Sequence, residues 1–290
     1  MAAIVSLVIL GAFWGGVYLL MAEGLNLIYG VMKVVNLAHG DLIVLGGLLA
    51  FSLFAHFGLS PIAALVPVAA AVFALGAAVQ WGILERIPLS GTAGELRTLL
   101  ATFGLSYVIS NASFLLWGGQ FQSIPFLQDS LSLGRFAIPE GLLACSLAAF
   151  LAALLVHSWL KHTMAGKALR ATAQAPLGAA SCGLEIRRIR ITAFALGAAM
   201  AGSAGALVIA LVPFQISSGG DLTVQSFTLI ALGGLGNYVG AFLAAEILGL
   251  TEVFSQYYFG SDVASATIYL LFIAVLLFRP QGLLGHAGRV

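Results

Sequence analysis

Between Ile4 and Phe278 the sequence keeps returning to apolar runs of 15 to 23 residues, and a helix that crosses a membrane needs roughly 20 mostly apolar residues. The runs are Ile4 to Ala22, Asp41 to Phe57, Ile62 to Leu84, Leu99 to Gly118, Gly141 to Trp159, Ile191 to Val212, Ala241 to Tyr258 and Ala264 to Phe278. Charged residues make up 8% of the 290 and mean hydropathy is +1.07, where a soluble domain carries about 25% charged residues. The expected fold class is therefore all-α, a polytopic transmembrane helical bundle of eight to ten spans, forming a single transmembrane domain over 1–290. Lipid is its first partner. A net charge of +1, with the cations clustered at predicted membrane edges, excludes nucleic acid as another.

One polar connection orients the rest. Lys161 to Arg190, KHTMAGKALRATAQAPLGAASCGLEIRRIR, holds Lys161, Lys167, Arg170, Arg187, Arg188 and Arg190, half of the 12 Lys and Arg residues, against the single acid Glu185. A cationic excess in a connecting segment marks the side that was not translocated, so the stretch is expected on the cytoplasmic face. Ala165 to Gln174 reads as a short helix, which Pro176 stops, since a proline ring disfavours helix in the residue before it. A second short helix is expected from Pro176, with Gly183 as its left-handed cap. The result is a surface helix-turn-helix whose small residues let another protein approach; the alternative is a basic loop held to anionic lipid.

Two apolar runs, Leu25 to Val35 and Leu222 to Gly236, are short for a crossing. Such pieces predict discontinuous or re-entrant helices, tolerated where protein buries them or where they line a cavity. They occupy comparable places in two candidate halves, 1–118 and 141–290. The first leads into Asn26, Lys33, Asn36, His39 and Asp41, polar groups that membrane depth makes expensive. Asn36 is expected to N-cap the next helix and Asp41 to sit in its first turn, where a negative charge complements the dipole. Capping and direct contact with a substrate are both compatible with Asn36, His39 and Asp41. The second run ends in LIALGGLGNYVGAF, where Gly233, Gly234, Gly236 and Gly240 predict a helix break with close packing. A small-residue face recurs at Gly197, Ala201 and Gly205.

The segment Gly119 to Glu140, with Asp129, Arg135 and Glu140 and no cationic excess, suits the outer face, and Arg279 with Arg289 places the C-terminus inside. Prolines 61, 88, 125, 139, 213 and 280 mark span edges, and Pro67 falls within a span, where it is expected to kink the helix. The N-terminal run has no Lys or Arg before it and is read as a retained span rather than a cleaved signal. No GxxxxGK[ST], HExxH or serine-elbow motif occurs, so neither nucleotide hydrolysis nor enzyme chemistry is expected of this chain. Cys145 and Cys182 are expected at different depths, and His157 and His162 lack a shared-metal spacing, so no disulfide, metal or cofactor is expected.

The strings GLNLIYGVMKVVNLAHGDLIVLGG, GKALRATAQAPLGAASCGLEIRRIRITAFALGAAMAGSAGAL, ALGGLGNYVGAF and LLFRPQGLLG, in this order, resemble the permeases of branched-chain, or hydrophobic, amino acid ABC importers. The resemblance implies a bacterial or archaeal inner-membrane protein. It also implies two cytoplasmic ATP-binding subunits, a second permease subunit (a paralogue or an identical copy) and an extracytoplasmic substrate-binding protein. On that pattern Gly166, Lys167, Ala168, Arg170, Ala171 and Gly183 belong to the ATPase-coupling element. Gln174-Ala175-Pro176 departs from the family's asparagine-proline but keeps the proline stop. Urea and short-amide permeases share the first motif and supply an alternative substrate class. A self-sufficient secondary transporter gated by Lys33, His39 and Asp41 is an alternative of another kind.

Overall fold

The computed structural model describes residues 2–87, 91–133, 136–279 and 281–285. Helix α1 spans Ala2–Met32, α2 His39–Phe57, α3 Pro61–Gly82, α4 Gly91–Trp117, α5 Glu140–His162, α6 Met164–Gln174, α7 Pro176–Ser181, α8 Ile186–Val208, α9 Gly219–Gly233, α10 Tyr238–Phe259 and α11 Ser261–Phe278. An antiparallel hairpin, Ser130–Leu133 with Phe136–Pro139, precedes α5. Among the described residues, seven helices (α1 to α5, α8 and α10) are long and apolar enough to cross a membrane, and α11 adds a shorter apolar stretch. The chain is a multi-pass membrane protein.

Local chemistry sets several boundaries. Gly58 closes α2 at φ +66, and Ser60 opens α3, its side chain accepting the Ala63 N–H at 3.3 Å ahead of Pro61 at the first helical position. Helix α3 continues through Pro67. Pro139 stands immediately before α5. Pro88, Arg135, Pro280 and Arg289 lie outside the described residues.

The centre of the bundle is α8, which is buried on all sides from Ala193 to Val208 except at Leu196. Its small residues allow this. A Cβ on Gly205 would stand 1.7 Å from the Ile43 carbonyl oxygen of α2, and one on Gly197 would meet the Gly24 carbonyl of α1 at 2.5 Å. The face seen in the sequence at Gly197, Ala201 and Gly205 thus brings α1 and α2 onto α8, and α3 packs along another flank. Helix α10 lies antiparallel to α1, Gly11 facing Leu250 and Gly15 facing Glu246.

The two ends of the bundle differ in charge. At one end α5 runs into α6 and α7, and Arg190 at the start of α8 lies 3.6 Å from Glu85 of the turn after α3. The tail docks at this basic end too: Leu283 donates to the Leu232 carbonyl at 2.7 Å and Asn237 donates to the Leu284 carbonyl at 2.8 Å. The hairpin is at the other end, where Gln122 bridges to Phe214 beyond α8.

Two expectations need correction. Leu25 to Val35 is not a separate short helix: α1 continues unbroken from Ala2 to Met32, about 46 Å at 1.5 Å per residue. Gly24 does not interrupt it, because a missing side chain there serves the contact with α8. The break comes later, at the irregular stretch 33–36, where Lys33 takes the left-handed φ of +55. Second, Asn36 is not the N-cap of α2. Ala38 holds that position with no side-chain cap bond, and Asn36 acts from two residues earlier, its Oδ1 accepting the Ala38 N–H at 3.1 Å.

Candidate functional site

Two places concentrate polar chemistry: the α6–α7 pair at the basic end, and the junction where α2 and α9 begin. In the first, Thr163 starts α6, its hydroxyl accepting the Gly166 N–H at 3.0 Å. Gly166 then lies against the backbone of Leu160, 2.4 Å from where its Cβ would be, so α6 folds tightly back on α5. Gly166, Leu169 and Thr172 form the inward face of α6, and Leu169 packs with Leu27, Leu160 and Ala193. Lys167, Arg170 and Ala171 point outward and Ala168 is half-buried. The Arg170 guanidinium also donates to the Lys161 carbonyl at 3.2 Å, tying the outward face to the end of α5.

Helix α7 begins with Pro176 at its first position. It ends in the paired bonds of a glycine C-cap: Leu184 N–H to Ala179 C=O at 3.2 Å and Gly183 N–H to Ala180 C=O at 2.9 Å, with Gly183 at φ +80. Ala179 is buried beneath. Two apolar side chains that the sequence reading did not single out stand in the open here, Met164 at 79% and Leu177 at 85% exposure. They lie at the basic end, outside the apolar spans, beside Lys167 and Arg170.

The second place is built by the break after α1. The chain leaves Met32, runs back along the bundle, and starts α2 with His39 buried beside α1, Nε2 donating to the Met21 carbonyl at 3.1 Å. Met21 is 11 residues, roughly 16 Å, short of the end of α1, so α2 starts inside the bundle. Two threonines hold the bridging stretch. Thr102 of α4 accepts the Leu37 N–H at 3.2 Å and has the Val35 and Leu99 carbonyls at 3.2 and 3.0 Å. Thr223 of α9 accepts the Gly40 N–H at 2.9 Å and has the Leu37 and Gly219 carbonyls at 3.3 and 2.8 Å.

Asp41 sits in the first turn of α2, as its spacing predicts. Its Oδ1 accepts the Ser110 hydroxyl at 2.6 Å. The start of α9 reaches the same point: a Cβ on Gly219 would stand 2.3 Å from that oxygen. Two helix N-termini, each a partial positive charge, therefore converge beside one carboxylate. Asn36 Nδ2 and His39 Nδ1 are buried here with no hydrogen-bond partner among the described residues.

Comparison with known proteins settles the family. Residues 7–278 match the family described as branched-chain amino acid transport system, permease component. The chain belongs to this permease family. The permease is 29% identical to the high-affinity branched-chain amino acid transport system permease protein BraD of Pseudomonas aeruginosa, over 94% of this chain and 92% of that one. It is 28% identical to the corresponding protein LivH of Escherichia coli K12, over 95% and 94%. Its fold is that of a chain in the structure of PsaBC from Streptococcus pneumoniae in complex with Fab, with a TM-score of 0.50 at 14% identity over 94% and 91% of the two chains.

The permease divides the residues anticipated for a path or a helix break. Asn36, His39 and Asp41 gather at the α2 junction, whereas Gly233, Gly234 and Gly236 form the turn from α9 to α10 at the basic end. Gly234 and Gly236 take φ +101 and +84 there. That turn meets α1 through Asn26, whose Oδ1 accepts the Gly236 N–H at 2.6 Å. A cavity of about 160 Å³ separates it from α6, with Asn26, Leu169, Arg170, Gly236 and Tyr238 in its walls. The sequence reading missed Thr102, Ser106, Ser110 and Thr223. Thr98, Thr102, Ser106 and Ser110 recur every fourth residue along an apolar helix, a one-face polar stripe that periodicity makes visible.

Proposed function

We propose that this chain is the membrane-spanning subunit of an ATP-driven importer that carries branched-chain or other hydrophobic amino acids across the inner membrane of a bacterium or archaeon. ATP is hydrolysed on two separate cytoplasmic subunits. An extracytoplasmic binding protein delivers the amino acid, and a second permease, identical or paralogous, completes the pathway.

The observation that carries this reading is the α6–α7 pair. It is closed at both ends by its own caps, seated on α5, α1 and α8 through Leu169 and Ala179, and bears Lys167, Arg170, Met164 and Leu177 on its free surface. A short rigid element anchored to three long helices transmits a push from a partner to the bundle as a whole. The names of the relatives support the substrate class.

In this reading ATP brings the two ATPase subunits together, the coupling pair moves with them, and the bundle alternates between outward and inward openings. Arg170→Glu or Lys167→Glu is expected to cut co-purification of the ATPase subunits and ATP-dependent leucine uptake in proteoliposomes together. Unchanged assembly and uptake in both variants would remove the coupling assignment, and uptake by the permease alone under an ion gradient would replace the whole reading with secondary transport.

A further inference from the structure

Beside the α2 junction lies a cavity of about 660 Å³, within the roughly 300 to 1,000 Å³ of ordinary small-molecule sites. It is lined by Asp41 of α2 and by one face of α4 that carries Ser106, Ser110 and Asn111 together with Phe103 and Phe114. Asp41 is its one charged residue; among the described residues no Lys, Arg or His lines it. The Ser110 hydroxyl hydrogen-bonds the carboxylate at 2.6 Å, which fixes its position while no cationic side chain among the described residues lines the cavity with it. The two helix N-termini beside it carry only partial charge, and a carboxylate at this depth in a membrane bundle is stabilised by a full positive group beside it.

We propose that this cavity receives the transported amino acid, with its α-ammonium group on Asp41 and its aliphatic side chain against Phe103 and Phe114. The assignment rests on the importer reading above and adds to it the place of contact and the group recognised. The first turn of α9 also faces the cavity, through Gly220, so the positive end of that helix lies where the α-carboxylate of a zwitterion would benefit. Phe103 and Phe114 are about half exposed and present apolar surface for an aliphatic chain. A neutral urea or amide would gain little from the carboxylate, so the same cavity discriminates between the two substrate classes that the first sequence motif leaves open.

The test uses the complete importer, with its ATPase subunits and binding protein, in proteoliposomes. Exposed Cys182 is replaced by serine, and Ser217, which lines the cavity, by cysteine. Leucine is expected to slow maleimide labelling of the Ser217→Cys protein. 4-Methylpentanoate, which is leucine without its ammonium group, is not. Asp41→Asn is expected to abolish the protection and to lower leucine uptake about tenfold, the loss of one charged hydrogen bond. Equal protection by both compounds, protection by neither, or protection that survives Asp41→Asn overturns the assignment. The first comparison leaves Asp41 intact and so does not depend on how well the variant folds. Absence of ATP-dependent leucine uptake in the parent importer would instead overturn the importer reading itself.

Discussion

Thr163 and Gly205 show how single residues set this architecture in opposite ways, one by supplying an atom and the other by lacking one. The Thr163 hydroxyl takes up the Gly166 N–H at the start of α6. Thr163→Ala is expected to cost about 1 kcal/mol of local stability, which hydrogen exchange should register as a roughly fivefold faster Gly166 amide. Gly205 brings α8 onto the Ile43 carbonyl by lacking a Cβ, which would stand 1.7 Å from that oxygen. Gly205→Leu should separate α2 from α8, and overpacking on this scale costs 1–3 kcal/mol or more. The expected result is aggregation in detergent, read by size-exclusion chromatography, while Gly104→Leu, at a site with open space around the missing Cβ, should behave as the parent protein does.

At the scale of elements, what the sequence made legible was local and what it hid was tertiary. The ends of α6 and α7 follow from Pro176 and Gly183, whose backbone limits hold in any surroundings, and both elements formed where those residues predict. The start of α2 did not follow from Asn36, because the bridging stretch is held by Thr102 and Thr223 from elements 65 to 186 residues away. Gly24 has the weak helix propensity of any glycine, yet its role is the approach to Gly197. The exposed Leu177 was equally unreadable, since its side chain is free only because Ala179 takes the inward face of α7. If that surface meets the ATPase subunits, Leu177→Asp places a charge in an apolar contact. It should lower their co-purification about tenfold or more while the permease itself remains monodisperse.

For the molecule as a whole, composition and run length were enough to place the chain in a membrane and name its class of fold. Depth was not legible: whether a run crosses or turns back depends on where its neighbours lie, and nothing in the run itself records that. The two cysteines offer a direct check on orientation. Cys182 is exposed beside α7 and Cys145 is buried in α5. With the basic end in the cytoplasm, a membrane-impermeant maleimide should label Cys182 in inverted vesicles and spare it in intact spheroplasts, and Cys145 should stay unlabelled in both. Labelling of Cys182 from outside the cell would invert the topology.

The two threonines that clasp the stretch after α1 carry one hydrogen apiece, and each has two carbonyls within reach: one on its own helix, Leu99 or Gly219, and one on the bridge, Val35 or Leu37. A turn of either hydroxyl hands that hydrogen from the bridge to the helix without opening a single turn of α4 or α9. The Leu37 and Gly40 N–H groups stay on the same two oxygens throughout, so the polypeptide at the middle of the bundle can exchange half of its grip by side-chain rotation alone, with no helix unwound.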